Sequence, residues 1–163
     1  MELTSLIDIY AYHLGTLIGN LHSLEVALRV ALSKGQFTVD LGVSEGQQVD
    51  QSAINEWAYL SDLVRRYNAQ VSQTHPHYVL TKGLAIIDLR NALAHGIVLA
   101  KAPQPPLRLL KFGKVGGSKD KVVVEFSAEM TDQWLQDQRR MVWDAVEIVG
   151  RYLQELGIGQ PPT

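Results

Sequence analysis

The fold is decided by residues 131–157, TDQWLQDQRRMVWDAVEIVGRYLQELG, which carry the clearest helical pattern in the sequence. Their apolar residues recur every three or four positions, as on one face of a helix. These are Trp134, Leu135, Met141, Val142, Ala145, Ile148, Val149, Tyr152, Leu153 and Leu156. Gly157, Gly159 and Pro161 then stop the pattern. The stretch predicts a long amphipathic helix whose apolar face belongs to the core or to a dimer interface.

Three further helices are predicted toward the N-terminus. The first is one continuous apolar stripe over residues 3–32, with Gly15 and Gly19 as weak points. Residues 37–42 are short, β-branched and alternating, and predict a small strand or an extended loop. The second helix is capped by Ser52 and ends near Gln73. Its apolar face carries Ile54, Trp57, Val64, Tyr67 and Val71.

The third helix is predicted to begin at Pro76, which suits a first helical turn, and to stop at Gly96. Its apolar residues are Leu80, Leu84, Ile87 and Leu93. After the breaker at 102–106, two β-prone runs at 107–112 and 121–126 flank a glycine-rich basic loop at 113–120. The predicted fold is mainly α: a four-helix up-and-down bundle, one domain over residues 1–163, with a β-hairpin at 107–126 inserted between helices three and four.

Composition narrows the class of protein. The 163 residues are 46% apolar and 20% charged, as in a globular domain. Cysteine is absent, which excludes disulfides, thiolate metal sites and cysteine nucleophiles. A basic leader and a long uninterrupted apolar run are both missing, so we expect a cytoplasmic protein that makes no membrane contact. The net charge of −2 means that any contact with a polyanion is local.

One segment carries chemistry: residues 90–96, Arg-Asn-Ala-Leu-Ala-His-Gly, at the end of the third helix. On an ideal helix Asn91 and His95 share a face, whereas Arg90 and His95 lie about 140° apart. The two side chains meet only if Arg90 curls round, if the helix unwinds before His95, or if a second chain supplies half of the site. A two-fold dimer satisfies the third condition.

These residue types suit cleavage of an RNA phosphodiester by its own 2′-hydroxyl, without a metal. A histidine can take or give a proton near neutral pH. A guanidinium binds the phosphoryl oxygens on which negative charge develops. Asn91 would orient the histidine or hold a phosphate oxygen. The alternative is purely structural: Arg90 paired with a carboxylate and His95 capping the helix.

The segment, placed at the end of the third of four helices, resembles the signature of the HEPN superfamily (higher eukaryote and prokaryote nucleotide-binding): Arg, often a polar residue next, then His after four to six residues. The resemblance implies a metal-independent endoribonuclease that acts as a homodimer, with Arg90 and His95 catalytic and Asn91 supporting. It implies single-stranded RNA as substrate, an antitoxin or other partner protein, and a role as a toxin or in antiviral defence. The alternative within the superfamily is a catalytically inactive module that binds a nucleotide or a protein.

A second group of residues is basic and surrounds the hairpin loop: Arg108, Lys111, Lys114, Lys119 and Lys121. A flexible basic loop can hold an RNA backbone. The alternative is an ordinary solvated loop. The loop also lacks the residue order of a nucleotide-binding phosphate loop and joins two strands rather than a strand and a helix.

The remaining polar residues suggest structural roles. Glu25 and Arg29 are spaced as an ion pair within the first helix, with a reach of Glu25 to Arg90 or His95 as the alternative. His75 and His77 form an H-x-H for which no third metal ligand is evident. His13 and His22 are interpreted as satisfied or surface histidines. No metal and no cofactor are assigned.

Overall fold

The computed structural model describes residues 3–34, 44–48, 58–100, 106–116 and 121–158, with side chains from residue 8 onward. Within these ranges the chain is mainly helical and has one small antiparallel sheet. The helices are α1 (Leu3–Leu32), α2 (Leu60–Thr74), α3 (Gly83–His95) and α4 (Asp132–Glu155). The strands are β1 (Ile97–Ala100), β2 (Leu107–Lys114) and β3 (Val122–Met130). The strand predicted at 37–42 lies outside the described residues.

The two long helices confirm their predicted ranges. α1 runs through Gly15 and Gly19 without a break, so these glycines do not interrupt it. α4 begins where the Thr131 hydroxyl accepts the Trp134 N–H at 3.1 Å. It ends at Glu155, and two residues later Gly157 has a φ of 72°, the left-handed conformation that glycine adopts readily.

The starts of the second and third helices were predicted wrongly. The predicted cap Ser52, with Ile54 and Trp57, lies outside the described residues; Ala58 and Tyr59 are not helical, and α2 begins at Leu60. Pro76 opens a short 3₁₀ helix, Pro76–Tyr78, instead of the third helix. The reason is the Asn68 side chain, which binds both the N–H (2.8 Å) and the carbonyl oxygen (3.2 Å) of Leu80. That backbone unit is therefore held outside a helix, and α3 begins only at Gly83.

The predicted apolar face of the third helix was wrong only in part, since Leu93 packs against the core and Leu80, which precedes α3, is buried. Leu84 is 79% exposed, and the buried residues are Ile86, Leu89 and Ala92. Apolar residues occur on several sides of this short helix, so their spacing alone does not identify the buried side.

The hairpin is larger than predicted and belongs to a three-stranded sheet of order β1-β2-β3. β1 pairs antiparallel with β2, for example Val98 with Leu109. β2 pairs antiparallel with β3, and the register shifts between Lys111 and Phe112. The shift leaves Glu125 as an extra residue, a β-bulge.

The chain divides into two compact units. The first consists of residues 1–21 and 84–142 and contains the sheet and α3. In its core Ala92, Leu109, Met130 and Leu135 are buried together. The second consists of residues 22–83 and 143–163. Its buried residues include Leu24, Leu28, Leu63, Tyr67, Val71 and Val149.

Candidate functional site

The segment 90–96 closes α3 and leads directly into the sheet. The Gly96 N–H donates to the Ala92 carbonyl at 2.7 Å, which completes the last helical turn. A Cβ on Gly96 would lie 2.3 Å from that oxygen and 2.8 Å from the Leu110 carbonyl oxygen. Only glycine fits where the helix end approaches β2, so this part of the segment has a structural purpose.

Arg90 and Asn91 are held together. Both are half-buried, and the Arg90 Nη1 donates to the Asn91 Oδ1 at 3.5 Å. Asn91 was predicted to orient His95 or to hold a phosphate oxygen; in this structure its side-chain oxygen contacts Arg90.

His95 is the last residue of α3 and its side chain is exposed. The helix remains regular up to it, so unwinding before His95 does not occur in this structure. On a regular helix the Arg90 and His95 positions remain about 140° apart. The two side chains therefore start from different sides of α3 in one chain, and the imidazole is the more exposed of the two.

The predicted basic group is distributed over both faces of the sheet. Lys111 forms an ion pair with Glu125 on the neighbouring strand. Arg108, Lys114 and Lys121 are exposed, and Lys119 lies outside the described residues. Three of the five predicted cations are thus accessible to a ligand, while Lys111 already has an anionic partner.

The contacts that His13 makes in the first unit were not predicted from the sequence. The His13 Nε2 lies 2.9 Å from the Asp132 Oδ1, and its Nδ1 contacts the Arg139 guanidinium. The same guanidinium lies 5.2 Å from the centre of the Tyr12 ring, a cation–π contact. With an arginine donating to Nδ1, the neutral Nε2–H tautomer satisfies both contacts. His13 is a satisfied histidine, as predicted, and it ties α1 to the start of α4.

The second unit gathers His75, His77 and Tyr78 around Glu155. The Tyr78 hydroxyl donates to the Glu155 Oε2 at 2.6 Å, which raises the pKa of Tyr78. The Nε2 atoms of His75 and His77 lie 3.4 and 3.9 Å from the same carboxylate. Across the described ranges no group of three or more His, Asp or Glu side chains is arranged to hold a metal ion. The cluster is held by hydrogen bonds and by contacts between aromatic rings.

Glu25 and Arg29 confirm the predicted ion pair. Their side chains lie 3.3 Å apart within α1, and both are partly buried. Arg29 also donates to the Ala58 carbonyl at 3.2 Å, which holds the residues before α2. The pair is therefore part of the second unit's structure.

No family model matches this chain, and no curated protein or solved structure is similar enough to count as a match. In the described part of the chain no helix combines the length and apolar character needed to cross a membrane.

Proposed function

We propose that this protein is a metal-independent endoribonuclease of the HEPN type, a four-helix bundle that acts on single-stranded RNA as a homodimer. The observation that carries the proposal is the exposed His95 at the end of a regular α3, with Arg90 held by Asn91 on the same helix. A toxin or antiviral-defence role, a partner protein that restrains it, and a cytoplasmic location are part of the same proposal.

The chemistry uses two side chains. The 2′-oxygen of a ribose attacks the adjacent phosphorus and loses its proton, while the bond to the 5′-oxygen of the next nucleotide breaks. His95 takes or supplies a proton in this step, because an accessible imidazole can do either near neutral pH. Arg90 stabilises the charge that accumulates on the phosphoryl oxygens. The products are a 2′,3′-cyclic phosphate and a free 5′-hydroxyl.

The geometry of α3 favours two chains for this reaction. Since the helix is regular from Arg90 to His95, one chain directs the two side chains to different sides. In a two-fold dimer, Arg90 of one chain and His95 of the other converge and produce two equivalent sites. The exposed Arg108, Lys114 and Lys121 supply further contacts to the RNA backbone.

The alternative is a catalytically inactive module that binds a nucleotide or a protein. The observation in its favour is that Arg90 is half-buried and bonded to Asn91 within its own chain, as an arginine with a structural role would be. The two functions predict different results for the same substitution.

The test is cleavage of a labelled single-stranded RNA in EDTA by wild type, His95→Ala and the control His22→Ala, which removes another exposed histidine. Wild type and control are expected to release products ending in 2′,3′-cyclic phosphate. His95→Ala should be at least about 100-fold slower, the usual contribution of a general acid or base. An inactive wild type, or equal rates for all three proteins, would exclude the nuclease.

A further inference from the structure

We draw no further inference here: the strongest candidate, the exposed apolar side of the sheet that carries Ile97, Leu99, Phe112, Val122 and Val124, supports none, because nothing in the part of the chain that the structure describes shows what covers it.

Discussion

Arg90 and His95 stand on one uninterrupted helix, five residues apart, and are directed to sides of α3 that differ by about 140°. Asn91 holds the arginine, whereas the imidazole is exposed at the helix end. The proposed site draws the two residues from two chains, and this proposal can be tested by measurement.

Mixing two inactive variants tests the shared site. Arg90→Ala and His95→Ala should each be inactive alone, but an equal mixture should recover about a quarter of the wild-type rate. Half of the dimers formed are mixed, and each mixed dimer has one intact site out of two. The measurement is RNA cleavage after the variants have exchanged subunits. An inactive mixture of demonstrably mixed dimers would place both catalytic side chains in the same chain.

Gly96→Ala should destabilise the protein by about 1–3 kcal/mol, as overpacked sites do. The new methyl group would meet the carbonyl oxygens of Ala92 and Leu110, both of them backbone atoms that move little. Gly15→Ala is the control, because nothing lies within 4 Å of its Cβ position in α1. That change should stabilise the helix by about 0.5–1 kcal/mol. Urea unfolding measures both; equal effects would contradict the close approach at Gly96.

Tyr67→Phe should leave stability at pH 7 unchanged or raise it by about 1 kcal/mol. In the described part of the structure the Tyr67 hydroxyl is buried without a hydrogen-bond partner. Removing it therefore breaks no hydrogen bond within the described residues. A clear loss of stability in thermal unfolding would show that the hydroxyl has a partner.

Tyr67 should also make the stability of the folded protein depend on pH in the alkaline range. Burial, with the nearby Tyr152 and Tyr78, raises the pKa of Tyr67 above its usual value of 10. A raised folded-state pKa gives stability that is complete below pH 10 and is lost as the pH rises above it, because the unfolded chain ionises first. Unfolding at pH 9 and pH 11 should show a smaller loss in Tyr67→Phe than in the exposed-tyrosine control Tyr59→Phe. Equal losses would contradict the shift.

His13→Ala should cost about 2–3 kcal/mol, because it leaves the partly buried Arg139 without its imidazole acceptor. His13→Gln retains a donor and an acceptor and should recover part of that loss. His22→Ala, a change at an exposed histidine of the same helix, should stay within about 0.5 kcal/mol. Chemical unfolding of the three variants checks the order, and an equal effect of His13→Ala and His22→Ala would exclude a structural role for the cluster.

Sequence patterns predicted the parts of the fold whose information is local. The bounds of α1 and the start and end of α4 follow from long apolar stripes. A hydroxyl side chain at the N-cap or a glycine after the last turn marks where such a stripe begins or ends. The start of α3 was missed because the Asn68 side chain, twelve residues earlier, binds the backbone of Leu80. β1 was missed as a strand because four apolar residues have no periodicity of their own.

The candidate site likewise has features that the sequence could predict and features that it could not. The location of residues 90–96 at a helix end, and the glycine that stops the helix, could be predicted from spacing. The contacts of the site could not. The bond from Arg90 to Asn91 depends on rotamers, and the contact of His13 with Arg139 joins residues 126 positions apart. Contacts between residues so far apart in the sequence depend on how the folded chain packs, and a single sequence gives no information on that packing.

The bulge at Glu125 determines what the sheet presents to its surroundings. In an uninterrupted ladder, Glu125 would pair with Phe112 and direct its carboxylate outward, while Val124 and Val122 would turn inward. With the extra residue, the carboxylate instead lies over Gly113 and reaches Lys111, and both valines face out. This one extra residue thus makes the exposed side of the sheet apolar where it would otherwise be acidic. Without the glycine at position 113, the acid would have no space on the inner side.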